Sequence, residues 1–217
     1  MSQTMPEIFN RPGAVPEPFG RDVRKMTSPF TEADYLARFD AVKASMEDAG
    51  VDCFFATEAG NLCYLSGYMA ESAYVPQGLA LYKDEKFPKL YARKMDTPAG
   101  MYMCYMPNDY IIGYPEWIVG DEEASALDYI IEAITTPKGV KRLGLELDAM
   151  SAASVNRLQK NFPNIDIIDM SDVVMRHRLV KTPKEIKLHR EAGVIADAVM
   201  QQCGESFRAG RRECDIA

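Results

Sequence analysis

Two histidines, His177 and His189, are the only imidazoles in the chain, so acid–base and metal chemistry have few starting points. His189 follows Glu185 by one turn of a helical pattern, a spacing that could set two ligands on one face. A solvated ion pair or a partly buried polar residue is the better reading of that spacing. His177 lies between Arg176 and Arg178 in a stretch that reads as linker, where the flanking cations depress its affinity for metal. Glu146 and Asp148 close a strand-like run, but two acids one residue apart at a strand end are commonly solvated punctuation. Gly60, Gly67 and Gly78 lack the spacing of a dinucleotide fingerprint, and no Gly-x-x-x-x-Gly-Lys-Ser/Thr occurs. Ser66 and Ser72 lack the Gly-x-Ser-x-Gly elbow of a hydrolase nucleophile. No catalytic residue and no metal ligand set is therefore assigned. Tyr64, Tyr68, Tyr74, Tyr110, Tyr114 and Trp117 are dense for loops, and fit a subunit interface, a small-ligand pocket wall or ordinary core. Met95, Met101, Met103 and Met106 read as adaptable core filler.

The elements that must carry these residues are legible in order. Residues 1–29, with Pro12, Pro16, Pro18 and Pro29, form an N-terminal extension without sustained period, either a disordered tail or an arm on a partner. Thr31 and Asp34 form a capping box, and Phe30 with Tyr35 a hydrophobic staple. Tyr35, Phe39, Val42 and Met46 then predict a helix over 32–48, stopped by Gly50. Apolar 51–56 predicts a buried strand, and 61–67 a short helical turn ending on glycine. Strands at 78–82 and 89–93 flank a charged turn as a hairpin. Further expectations are a helix over 97–106, a strand at 109–113, and a helix through Leu127, Ile130, Ile131 and Ile134 behind the acidic turn 121–123. A strand at 142–147, a helix at 152–161 and a strand at 165–168 follow. The strongest local signal comes last: Thr182, Pro183 and Glu185 make a capping box with proline in the first turn, opening a helix to about Phe207.

Composition narrows the class. Of 217 residues, 47% are hydrophobic and 26% charged, as in soluble globular proteins, and no apolar run nears the roughly 18 residues of a membrane span. The N-terminus lacks the apolar centre of a secretory signal, so a cytoplasmic location is expected. Five cysteines without a Cys-x-x-Cys pair point to buried free thiols rather than zinc or a disulfide framework. A formal net charge of -7 with dispersed basic residues gives no footprint for nucleic acid.

Taken in order, the capped helix, the strand ending Ala56-Thr57, Asn61-Leu-Cys-Tyr-Leu-Ser-Gly67, the Gly144-Leu-Glu146 strand and Arg178-Leu-Val-Lys181-Thr-Pro-Lys-Glu185-Ile resemble the creatinase/prolidase N-terminal domain. That domain precedes the pita-bread catalytic domain in Xaa-Pro peptidases, creatinase and ectoine hydrolase, a metallopeptidase-type family. The resemblance covers about residues 30–217, and Asn108-Asp-Tyr-Ile-Ile-Gly-Tyr-Pro115 tilts it toward the ectoine-hydrolase branch.

The fold expected is α/β, a mixed and mainly parallel sheet with helices on both faces, over 30–176. Residues 177–217 would be a linker and the first helix of a truncated pita-bread domain. The resemblance implies a homodimeric hydrolase of C–N bonds in small amino-acid derivatives or prolyl dipeptides. In most members two divalent metal ions activate a water, held by residues downstream of this chain, while creatinase works without metal. The chain itself would hold no cofactor and be inactive alone. Asn61, Tyr64, Leu65, Ser66, Gly67 and Tyr68 are the candidates to approach substrate across a dimer interface; alternatively Asn61 caps a turn while Tyr64 and Leu65 fill the core. The rival functions are a noncatalytic binding or dimerisation module with the same fold, and a small-molecule sensor built on the aromatic cluster.

Overall fold

The computed structural model describes residues 25–215 apart from Thr27, Glu71, Ala73, Glu122 and Glu123. Most of the expected N-terminal extension and two acids of the 121–123 turn therefore lie outside the described residues. The chain divides into two compact units, one running to His177 and one beginning at Arg178.

The first unit opens with α1 (Glu32–Asp48). Thr31 Oγ1 accepts from the Asp34 N–H at 3.3 Å while Asp34 Oδ2 accepts from the Thr31 N–H at 2.7 Å, satisfying two of the helix's orphan donors. Phe30 packs edge-on against Tyr35 with centroids 6.0 Å apart. Tyr35, Phe39, Val42 and Met46 face inward. Just before α1, the Lys25 ammonium donates to the carbonyls of Cys104 and Met106, so this part of the expected extension packs on its own domain.

Six strands form one sheet in the order β4-β3-β2-β1-β5-β6: β1 (Cys53–Ala56), β2 (Gly78–Tyr82), β3 (Lys89–Arg93), β4 (Ile111–Tyr114), β5 (Arg142–Leu145) and β6 (Asp166–Asp169). The β4–β3, β1–β5 and β5–β6 pairs run parallel, and β3–β2 and β2–β1 antiparallel. Strands β1 and β2 are buried along their whole length because the sheet is covered twice, which explains a continuous apolar run in place of alternation. Phe54, Ala56, Leu79 and Leu81 meet Phe39, Val42, Leu62 and Val174 on one face. Phe55, Ala80, Tyr82 and Leu145 meet Ile130, Ile131, Ile134 and Leu158 on the other. Helices α2 (Ala59–Ser66), α3 (Thr97–Met103) and α6 (Ser171–Leu179) join α1 on the first face. Helices α4 (Ala126–Thr135) and α5 (Ala152–Asn161) cover the second.

Several expectations change. The stretch holding His177 is helical as α6, started by Asp169 Oδ1, which accepts from the Ser171 N–H at 3.0 Å, and His177 Nε2 lies 3.1 Å from Ser45 Oγ. Helix α3 stops at Met103 because Cys104 turns extended. Helix α4 begins only after Ser125, whose hydroxyl accepts from Asp128 N–H, so Asp121 instead accepts from Ala124 N–H. Met106 is core, but Met95 is exposed. Cys53 and Cys104 are buried, whereas Cys63 and Cys203 are half-buried and Cys214 exposed.

The second unit is built on α7 (Pro183–Ser206), with the Thr182–Glu185 capping box in place. In that box Glu185 Oε2 accepts from both the Thr182 N–H and its hydroxyl.

Candidate functional site

The six candidates from Asn61 to Tyr68 fall on α2 and the turn that ends it. Glu58 caps α2, its carboxylate accepting from the N–H groups of Gly60 (3.0 Å) and Asn61 (2.7 Å). Gly67 ends the helix at φ +82. A Cβ there would lie 2.9 Å from Tyr35 Oη and 3.2 Å from the Met103 carbonyl, so backbone conformation and space both require glycine.

Inside this frame each candidate has a defined place. Asn61 is buried and donates from Nδ2 to Glu146 Oε1 at 2.6 Å. The Tyr64 ring lies 4.3 Å from the Arg38 guanidinium, which also stacks on Phe30 at 3.9 Å and donates to the Tyr64 carbonyl at 2.8 Å. Leu65 is wholly buried core. Ser66 donates to the Leu62 carbonyl at 2.7 Å and accepts from the Tyr68 N–H at 3.2 Å. Tyr68 is buried, and its hydroxyl donates to Gln77 Oε1 at 3.1 Å. Burial pushes that phenol up to about 12, so it stays protonated at neutral pH. The six thus share one helix and its exit turn.

Glu146 is the residue that sequence reasoning misplaced. It is not solvated: its exposure is 0%, and Oε2 accepts from the N–H groups of Thr57 (2.5 Å) and Glu58 (2.7 Å). Burial raises its pKa, and the nearby Glu58 carboxylate pushes the same way, against the lowering by those two N–H groups and Asn61. Asp148, by contrast, is exposed. An acid directly after the apolar Leu143-Gly-Leu145 of a buried parallel strand was the available signal.

A cleft of about 530 Å³ lies beside this carboxylate, lined by residues following β1 (Thr57, Glu58), residues following β5 (Met150, Ser151), and Tyr74 and Gln77. Strands β1 and β5 are parallel neighbours whose next helices, α2 and α5, pack on opposite faces. This is a topological switch point, where open α/β sheets form crevices at their strand ends. Gln77 also donates from Nε2 to the Ala70 carbonyl at 3.0 Å. Tyr74 projects outward, 74% exposed, its hydroxyl accepting from Arg93 at 2.8 Å. Arg93 in turn holds Glu116 at 2.6 Å, beside the half-exposed Trp117. Among the described residues no three His, Cys, Asp or Glu side chains gather so as to hold a metal ion, and no step is assigned to one here.

Residues 38–180 match the Creatinase/Prolidase N-terminal domain family. The chain is 31% identical over 189 residues to an uncharacterized hydrolase/peptidase of Sinorhizobium fredii, covering 86% of this chain and 48% of the relative. It is 28% identical to the ectoine hydrolase of Halomonas elongata, covering 86% and 47%. The fold matches the Xaa-Pro dipeptidase of Bacillus anthracis at a TM-score of 0.63 and 18% identity, over 84% of this chain and 46% of that one. The chain therefore spans about half the length of the curated relatives it matches. With the family signature running from within α1 through α6, this chain belongs to the creatinase/prolidase N-terminal domain family.

Proposed function

We propose that this chain is the N-terminal domain of a C–N bond hydrolase acting on small amino-acid derivatives or Xaa-Pro dipeptides. The observation that carries the reading is the family match over residues 38–180, joined by similarity to proteins named ectoine hydrolase and creatinase. In this reading the protein is a cytoplasmic homodimer, and two divalent metal ions activate water on residues that this chain does not supply. The segment from Asn61 to Tyr68 fixes the course of the connection that follows, and that connection meets substrate across the subunit interface. Tyr74 supports this assignment, because it is both exposed and pinned by Arg93, which favours a rigid aromatic contact.

The test is hydrolysis of ectoine, creatine and Xaa-Pro dipeptides by the product of the complete reading frame, with and without added divalent metal, followed by mass spectrometry of the products. Turnover of any of them upholds the enzyme reading. A 24.3 kDa product that turns over none of them overturns it, and leaves the noncatalytic binding or dimerisation module.

A further inference from the structure

Glu146 bonds two walls of the cleft, one through its backbone carbonyl and one through its carboxylate, and the helix it holds leads to the third. The Glu146 carbonyl accepts from the Ala149 N–H at 3.1 Å, closing the turn that sets Ala149, Met150 and Ser151 as the first wall. Glu146 Oε2 takes the N–H groups of Thr57 and Glu58, which form the second. Glu146 Oε1 takes the Asn61 amide in the first turn of α2. The far end of α2 launches the third wall: Ser66 Oγ holds the Tyr68 N–H, Tyr68 holds Gln77, and Gln77 reaches back to Ala70.

The sheet itself does not need this carboxylate. Strands β1 and β5 are already paired from Cys53 with Leu143 to Phe55 with Leu145, and the side-chain bonds of Glu146 go beyond the sheet, to the turn and helix that lead toward the connection. A carboxyl group suits the task because both of its oxygens can accept, enough for three donors on two segments. Burying it is costly, and a position that only filled space would be served by an apolar side chain.

We propose that Glu146 is the positioning residue of this cleft, fixing the turn after β1, helix α2 and, through Tyr68, the side chain of Gln77 in one relative arrangement. The functional meaning rests on the reading that the connection after α2 meets substrate. The test reads order in the connection rather than turnover, so the two can fail separately.

The experiment is residue-resolved amide hydrogen exchange by NMR on this chain, comparing wild type, Glu146→Ala and Glu146→Gln. In the Ala variant, exchange at Thr57, Glu58, Tyr68 and Val75 is expected to rise about tenfold or more while β2 and β3 keep their protection. Gln retains an oxygen for the two backbone N–H groups but sets an NH2 against the Asn61 amide, so it is expected to bring Thr57 and Glu58 back to within about threefold of wild type while Tyr68 and Val75 stay fast. Faster exchange at Thr57 and Glu58 alone overturns the proposal, since the carboxylate would then cap one turn and nothing more. A uniform rise that includes β2 overturns it as well. If the Ala variant does not fold, Asn61→Ala removes the Oε1 bond and leaves both Oε2 bonds in place; protection unchanged at Tyr68 in that variant defeats the proposal.

Discussion

At Glu146 two effects oppose each other: burial favours the neutral acid, while three N–H donors favour the anion. Removing the carboxyl strands all three donors, and at about 1–3 kcal/mol for each, Glu146→Ala is expected to lose about 3 kcal/mol or more in urea unfolding. Burial is the larger cause and raises the pKa. An acid with a higher pKa folded than unfolded contributes stability below its unfolded value near 4.3, lost as pH rises through the folded value. Glu146→Gln cannot ionise, so it is expected to gain on wild type as pH is raised from about 4 to about 8. A difference moving toward wild type would show that the donors outweigh desolvation. Arg38 makes a second residue-level case. Its planar guanidinium stacks on Phe30 and Tyr64 while bonding the Tyr64 carbonyl, a combination that lysine cannot reproduce. Arg38→Lys is expected to lower stability by about 1 kcal/mol in the same assay.

Helix α2 and its exit turn show how backbone and packing combine within an element. Gly67 needs its glycine for a positive φ and for room beside Tyr35 and the Met103 carbonyl, whereas Gly139 has φ +61 and open space around the position a Cβ would take, with nothing within 4 Å. Gly139→Ala is expected to cost about 1 kcal/mol, the conformational term alone, and Gly67→Ala about 2 kcal/mol or more. Equal shifts in melting temperature would mean that contact at Gly67 is relieved without cost. Elements of this kind were legible where local signals agreed: the hairpin strands 78–82 and 89–93 and the helix 152–161 lie where the sequence puts them. Helix α6 was not, because only Val174 is buried along it and one buried residue makes no stripe. The Asn61–Gly67 turn was visible from its glycine stop. The burial of Glu146 was not, since its partners at Thr57 and Glu58 lie 89 and 88 residues away in the chain. A strand-end acid that is solvated and one that is clamped look alike until the sheet brings those N–H groups to it.

For the whole molecule, the proposed homodimer predicts sedimentation at twice 24.3 kDa at micromolar concentration; a single 24.3 kDa species would remove it from the reading. Self-association has a second route, through sheet growth. Strand β6 ends the sheet with Ile167 and Ile168 between the exposed Asp166 and Asp169. An antiparallel copy laid along this edge would bring each aspartate against the other's counterpart, so their charges guard the strand against pairing. The Ser171 hydroxyl and N–H hold the Asp169 carboxyl below the usual range, which keeps one guard charged further into acid. The Asp169 charge thus makes the edge conditional on acid: where the solution is acid enough to protonate it, the isoleucine pair loses a guard and becomes a template for fibril-like addition, and light scattering should rise there before it does at neutral pH.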